Sequence, residues 1–224
     1  MIKKTAYDLN SLFLDKTIIG DTALVKSRNS EDSGSLLNPQ DTSYDVFMRE
    51  ISNLLFHKHV LTTGHVIAPP LVAKELKKAY HTIRNIYLKN RTALNHLFEC
   101  TPDYKIFIER TRQLKDASRC LSNAAQKNAK RNIVPKDAVC MQLEHLVSKL
   151  NSEKIPSETD IEVFRYGIYH AQNRPTIIRT CDFDIATLGN IYYKRVALPF
   201  PLEVFVSIGT DYSEGVLFEY IPLE

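Results

Sequence analysis

The segment from Ser157 to Leu188, a helical pattern followed directly by a strand pattern, constrains the fold more than any other part of the chain. The β-branched run Thr176–Thr180, which follows Pro175, is typical of a buried strand in a parallel sheet. Open α/β sheets place their sites at the carboxyl ends of such strands, so nearby acids are candidate site residues. The preceding residues predict a helix over 158–173, because its apolar side chains recur at helical spacing: Ile161, Phe164, Ile168 and Ala171.

Acidic residues flank this unit on both sides. Asp160 lies in the first turn of the predicted helix, and Asp182 and Asp184 follow the strand. Each also has a purely structural interpretation. Ser157 and Asp160 have the spacing of a capping box, and Asp182 or Asp184 can cap a short helix through Leu188. Taken alone, this segment favours capping, so a functional role depends on acids elsewhere in the chain.

Two further acids accompany predicted strands. The apolar run 12–19 contains Asp15, which a buried strand interior would not accept, so we expect the strand to end there. Asp8, in Asp8-Leu9-Asn10, is an alternative for the same role. A second short strand at 65–68 ends at prolines, and the helix after it carries Glu75 in its early turns. Glu75 can instead pair with Lys78 or complement the helix dipole.

The rest of the chain predicts one domain over 1–224 with two additions. A helix is expected over 43–58, and residues 80–152 read as a basic helical insertion. The two runs 204–208 and 216–221 flank a Gly-rich turn, which predicts a C-terminal β-hairpin within 201–224 at a sheet edge. The fold class is therefore α/β, with a central, mostly parallel sheet between helices.

The net charge of +3 conceals a strong asymmetry. Residues 74–136 contain 15 Lys/Arg and 5 Asp/Glu, a balance of +10, so the remaining chain has 14 basic and 21 acidic residues, a balance of −7. A basic region of this kind favours a polyanionic partner, because neutralising phosphates releases counterions. A solvated basic helix face that binds nothing specific is the alternative.

Other patterns exclude several classes of protein. No apolar run approaches the length of a membrane span, and the first residues lack the apolar core of a signal peptide. The four widely spaced cysteines indicate neither a disulfide scaffold nor a zinc site, so a cytoplasmic location is expected. No Gly-rich phosphate loop and no Gly-x-Ser-x-Gly nucleophile motif is present.

The candidate acids, taken together, predict a metal site. Carboxylates that converge in one cleft repel one another unless a hard divalent cation lies among them, and oxygen ligands suit Mg²⁺ or Mn²⁺. Such an ion can activate water for attack on a phosphodiester. The proposed acids are Asp15, Glu75, Asp160 and Asp182.

The same residues resemble the PIN-domain nucleases, a family that includes toxin ribonucleases. The resemblance rests on Leu-Asp15-x-Thr17-Ile-Ile, on Pro-x-Leu-Val-x-x-Glu75-Leu, on Asp160 opening a helix, and on Thr180-x-Asp182-x-Asp184-Ile. It covers 11–25, 64–79 and 157–200, less than half of the chain. It implies an α/β/α sandwich and an endoribonuclease in which Asp15, Glu75, Asp160 and Asp182 are catalytic and bind the metal.

By the same resemblance, Asp184 is an auxiliary ligand and Thr17 a polar support beside the first acid. RNA is the expected substrate, with single-stranded DNA as the alternative, and a protein inhibitor or a second copy of the chain is a further candidate partner. A second hypothesis is a catalytically inactive PIN-like module that binds RNA or supports an assembly. The residues expected to contact nucleic acid are Lys77, Lys78, Arg84, Lys127, Lys130 and Arg131.

Overall fold

The computed structural model describes residues 17–20, 44–62, 66–96, 102–135, 156–180, 183–193, 198–207 and 215–220. These residues form a mixed α/β fold, as the sequence predicts. In chain order the elements are β1 (Thr17–Gly20), α1 (Tyr44–Thr62), β2 (Val66–Ile67), α2 (Pro70–His96), α3 (Pro102–Arg131), α4 (Glu158–Ala171), β3 (Thr176–Thr180), α5 (Phe183–Tyr193), β4 (Leu202–Ser207) and β5 (Gly215–Tyr220).

The five strands form one sheet in the order β2-β1-β3-β4-β5. β1 pairs in parallel with β2 and β3, and β3 pairs in parallel with β4. β5 is antiparallel to β4 and lies at the end of the sheet, so the expected C-terminal hairpin is confirmed. Parallel strands end on the same side, and we call the side where β1 to β4 end the carboxyl edge.

Both faces of the sheet carry apolar contacts. Neighbouring residues of a strand point to opposite faces, and Ile177 and Ile178 of β3 belong to different apolar clusters. Ile177 packs with Val60 of α1 on one face. Ile178 lies against α4 on the other, where Gly167 leaves no room for a side chain because a Cβ there would overlap Ile178. The helix can therefore pack closely on the strand.

Helices α2 and α3 form an antiparallel pair. The Tyr104 hydroxyl near the start of α3 donates a hydrogen bond to the Asn90 carbonyl near the end of α2, at 3.2 Å. Further along α3, the Lys115 ammonium lies 4.5 Å from the centre of the Tyr87 ring. Near the end of α3, the Asn128 side chain accepts a hydrogen bond from the Ala68 amide, just before α2 begins, at 3.0 Å. The partner positions run from residue 90 back to residue 68 as the α3 positions run from 104 to 128, so the two helices are antiparallel.

Asn128 fixes this pair of helices to the sheet. Its Nδ2 donates to the carbonyl of Val66 in β2 at 2.7 Å and to that of Leu61 at the end of α1 at 3.0 Å. One amide side chain thus joins α1, β2 and the start of α2, whose backbone groups need partners when buried. The end of α3 is held at the carboxyl end of β2. α2 itself continues through residue 80, where the sequence suggested an insertion begins.

Within the described ranges, no helix combines the length and the apolar character that crossing a membrane requires.

Candidate active site

Three helices begin at the carboxyl edge. α2 follows β2 after two residues, and α5 follows β3 directly beyond Asp182. α4 precedes β3 and is joined to its first residue by a short turn, so the chain reverses there. The end of α4 therefore lies beside the start of β3, and its first turn lies towards the carboxyl edge. Helix starts are positive ends of helix dipoles, which favour carboxylates or a bound anion.

A hydrogen bond joins the second turn of α2 to the first turn of α4. The Thr159 hydroxyl in the first turn of α4 donates to Oε1 of Glu75 in α2 at 2.9 Å. Thr159 is buried and Glu75 is half-buried, so water competes little for this bond. Glu75 is therefore bonded to the residue that precedes Asp160, although the two acids are far apart in the sequence.

A second bond strengthens the same junction. The Leu71 amide at the start of α2 donates to Oε2 of Glu162 in α4 at 2.6 Å. This amide belongs to the first turn of α2, whose N–H groups have no partner within the helix. Oε1 of Glu162 also lies 3.4 Å from the Arg165 guanidinium. Each helix start therefore receives a polar partner from the other helix, which fixes the distance between them.

Asp160 forms the capping box that its spacing with Ser157 suggests. The Ser157 amide and hydroxyl donate to Oδ2 of Asp160 at 2.8 and 2.6 Å, and the Asp160 amide is 3.2 Å from Ser157 Oγ. The Asp160 side chain is buried. Both bonds from Ser157 end on the same carboxylate oxygen of Asp160.

The other predicted ligands are placed only in part. Asp184 is half-buried in the first turn of α5. Asp182, Asp15 and Asp8 lie outside the described residues. Among the residues that the structure does describe, no three His, Cys, Asp or Glu side chains are grouped closely enough to hold a metal ion. The described part of the site is therefore the Glu75–Thr159–Asp160 junction, with Asp184 on the next helix start.

The first strand differs from the expectation. We expected a strand that ends at Asp15, whereas the strand in the sheet is Thr17–Gly20, after Asp15. Its β-branched residues Ile18 and Ile19 pair with strands on both sides, which accounts for the position. Thr17 is level with Thr176, the first residue of β3, so it lies at the edge opposite the carboxyl edge. The acid that follows the carboxyl end of β1 in the sequence is Asp21.

A buried cation lies close to the carboxyl edge. Arg179, the penultimate residue of β3, is buried, and its guanidinium lies 4.9 Å from the centre of the Phe205 ring. Burial, with a smaller effect of Arg179, lowers the pKa of His57 in α1 to about 4. The positive charge near the end of β3 is therefore not accompanied by a protonated His57 at neutral pH.

Sequence reasoning missed Thr159, Glu162 and Arg179. Arg179 had a visible signal, since a charged residue within the β-branched run Thr176–Thr180 is unusual for a buried strand. Thr159 and Glu162 had none, since their partners on α2 are distant in sequence.

The residues predicted to contact nucleic acid are all exposed. Lys77, Lys78 and Arg84 lie on α2, and Lys127, Lys130 and Arg131 lie in the last turns of α3. The Asn128 contacts hold this end of α3 near the start of α2. Both groups of cations therefore lie on elements that meet at the carboxyl end of β2.

Comparison of the chain with protein-family models, with curated proteins and with solved structures gives no match.

Proposed function

We propose that this protein is a divalent-metal-dependent endoribonuclease of the PIN-domain type, which hydrolyses RNA phosphodiester bonds at the carboxyl edge of its sheet. The proposed ligands of Mg²⁺ or Mn²⁺ are Glu75, Asp160 and Asp182, with Asp184 as the auxiliary ligand. Asp21 takes the first position instead of Asp15, because it is the acid that follows the carboxyl end of β1.

One observation carries this proposal. The Thr159–Glu75 hydrogen bond joins residues 84 positions apart in the sequence and links Glu75, in the second turn of α2, to the residue that precedes Asp160 in α4. The capping box does not require this contact, since Ser157 and Asp160 form it without Glu75. A shared function of Glu75 and Asp160 accounts for the Thr159–Glu75 hydrogen bond.

The donor atoms suit a hard cation. Glu75 and Asp160 offer carboxylate oxygens and Thr159 adds a hydroxyl, so the side-chain donors of these three residues are all oxygen atoms. A bound Mg²⁺ or Mn²⁺ would lower the pKa of a water molecule and stabilise the charge that develops on the phosphate. Thr159 orients the Glu75 carboxylate, and Ser157 orients that of Asp160. The exposed lysines of α2 bind the substrate phosphates.

The sheet is consistent with a PIN-like α/β/α sandwich. Its order and its parallel pairs place the acid-bearing helix starts on one side, and both of its faces carry apolar contacts. We propose that helices α1 and α4 are opposite layers of this sandwich, and that α2 and α3 extend the layers as the basic addition.

The second candidate function is an inactive RNA-binding or assembly module with the same fold. The observation in its favour is that Asp160 is committed to a capping box, an arrangement that needs no metal. Such a module retains RNA, with an affinity that falls as salt rises, but does not cut it.

Incubation of the full chain with structured and unstructured RNA in Mn²⁺, with a parallel reaction in EDTA, tests the proposal. We expect cleavage only with the metal, and we expect Asp160→Asn and Asp182→Asn each to abolish it. Cleavage that persists in both variants, or in EDTA, excludes the proposed site. Titration calorimetry with Mn²⁺ separates the two candidates, since the inactive module has no requirement for the ion.

A further inference from the structure

The exposed face of α2 carries basic side chains that the helix itself does not balance with acids. Glu75 is the single acidic residue of the helix, and it is half-buried and directed to Thr159 of α4. The basic residues are exposed along almost the whole helix: Lys74, Lys77, Lys78, Arg84, Lys89 and Arg91. We call these six residues the α2 stripe.

Helix α3 differs from α2 although it is also basic. Its central cations lie beside acids of the same helix: Arg112 is 2.6 Å from Glu109, and Arg119 is 3.4 Å from Asp116. Lys115 is 3.3 Å from Asp116 and also lies over the Tyr87 ring. The central charges of α3 are thus largely compensated within the helix, whereas none of the described ion pairs includes a residue of the α2 stripe.

The geometry of the stripe fits a linear polyanion. At about 100° per residue, its six side chains fall within roughly half of the helix circumference. At a rise of about 1.5 Å per residue, Lys74 and Arg91 are about 25 Å apart along the axis. A nucleic-acid strand carries one phosphate per about 3.4 Å of helix axis, so it could present several phosphates to a stripe of this length.

The stripe begins at the candidate site. Lys74 precedes Glu75, and Lys78 follows it by about one turn, so the same helix carries a proposed metal ligand with a cation on each side of it in the sequence. The Leu71–Glu162 and Asn128–Ala68 hydrogen bonds fix this end of α2 to α4 and to α3. A strand that lies along α2 therefore has one end directed at the Glu75–Thr159–Asp160 junction.

We propose that the α2 stripe binds the phosphate backbone of the RNA substrate and directs the strand to the carboxyl edge, whereas the central cations of α3 do not contribute. The proposal rests on the proposed function for the identity of the polyanion. It deepens that function by assigning substrate binding to one helix and by giving the direction in which the strand leaves the site.

The test is RNA binding without cleavage. Fluorescence anisotropy of a labelled single-stranded RNA of about 20 nucleotides, long enough to cover the stripe, is measured in EDTA at several salt concentrations. Two variants remove the same charge from neighbouring helices: Lys78→Gln/Arg84→Gln in the stripe and Arg112→Gln/Arg119→Gln in α3. All four side chains are exposed, so both variants should fold, which circular dichroism checks.

We expect the stripe variant to lose affinity by roughly fivefold per cation at about 0.1 M salt, and its salt slope to fall by about 0.7 per cation. The α3 variant should stay within about twofold of the unchanged chain, because its two arginines are already paired with acids of the same helix and salt screens the acids that the variant leaves without partners. Lys89→Gln/Arg91→Gln, at the far end of the stripe, should also weaken binding. Equal losses in the stripe and α3 variants, or no loss from either end of the stripe, would overturn the proposal.

Competition with poly-glutamate separates nucleic acid from acidic protein. Displacement of the RNA by poly-glutamate at an equal concentration of charge would also overturn the proposal. A failure of the α2-stripe proposal can be distinguished from a failure of the proposed nuclease function. Binding that depends on the stripe without cleavage in Mn²⁺ contradicts the nuclease, whereas cleavage that is insensitive to the stripe contradicts only this inference.

Discussion

The Thr159 hydroxyl donates a hydrogen bond of 2.9 Å to Oε1 of Glu75, which fixes the start of α4 against α2. In this pair Glu75 carries the negative charge, and Thr159 orients its carboxylate. Substitutions that change only one of these properties can separate binding from positioning.

Glu75→Gln should reduce metal-dependent cleavage by on the order of 100-fold or more, because an amide is a poor ligand for Mg²⁺ or Mn²⁺. Thr159→Val keeps the charge and removes the donor, so it should raise the Mn²⁺ concentration needed for half-maximal cleavage by about tenfold. The measurement is the cleavage rate as a function of Mn²⁺. Glu109→Gln, on the exposed side of α3, is the matched control and should leave the rate unchanged. A Glu75 variant with the same metal dependence as the control would exclude Glu75 as a ligand.

Asp160 and Ser157 provide a test that separates capping from catalysis. Ser157→Ala removes the capping hydroxyl but keeps the Asp160 carboxylate and the Ser157 amide that also orients it, so it should cost about 1 kcal/mol of stability while leaving cleavage nearly intact. Asp160→Asn should cost a similar free energy of unfolding and abolish cleavage. Urea denaturation gives the stability of each variant, and the cleavage rate is then compared at equal folded fraction. Equal rates in the two variants would leave Asp160 with a capping role alone.

The segments with a clear local pattern were predictable from the sequence. The helix expected over 158–173 is Glu158–Ala171, and the strand expected over Thr176–Thr180 is found at these residues. Their boundaries are set by local signals, a capping box at one end and Pro175 at the other. The C-terminal hairpin follows for the same reason.

The first strand was not predictable, because its boundary depends on pairing. The apolar run on either side of Asp15 has no local signal that favours one half over the other. Only the pairing of Ile18 with Val66 and Ile177 selects the second half. The Thr159–Glu75 contact could not be predicted for a related reason. It depends on how α2 packs against α4, and not on the residues next to Thr159 or Glu75 in the sequence.

The position of β1 leads to a prediction about the first acid. Asp21 follows the carboxyl end of β1, whereas Asp15 precedes its first residue. We therefore expect Asp21→Asn to reduce cleavage by on the order of 100-fold and Asp15→Asn to leave it within about threefold of the unchanged chain. Parallel cleavage assays at saturating Mn²⁺ make the comparison. If Asp15→Asn reduced cleavage more than Asp21→Asn did, Asp15 would be the first acid. The position of β1 would then not identify the ligand.

Asn128 should be a major determinant of stability. Its side chain bonds the Ala68 amide and the carbonyls of Leu61 and Val66, and these backbone groups lose their partner in Asn128→Ala. An unsatisfied buried group costs about 1 to 3 kcal/mol, so we expect a total loss of about 3 kcal/mol. Urea denaturation followed by circular dichroism measures it. Asn123→Ala, at an exposed position of the same helix, is the matched control and should change stability by less than about 0.5 kcal/mol.

Two largely buried histidines should make the fold sensitive to acid. Burial, with a smaller effect of Arg179, lowers the pKa of His57 to about 4, and burial, with a smaller effect of Arg174, does the same for His170. The unfolded chain, with an ordinary histidine pKa near 6.5, then binds more protons than the folded chain between about pH 6.5 and 4, so stability falls as the pH falls through this window. Each histidine should contribute on the order of 2 kcal/mol to this loss.

Free energies of unfolding from urea titrations at pH 7 and at about pH 4.5 give the size of the effect. His57→Gln and His170→Gln should each make stability less dependent on pH, whereas His59→Gln, at an exposed position of α1, should not. A pH dependence that is the same in all three variants would show that neither buried ring is the group that takes up the proton.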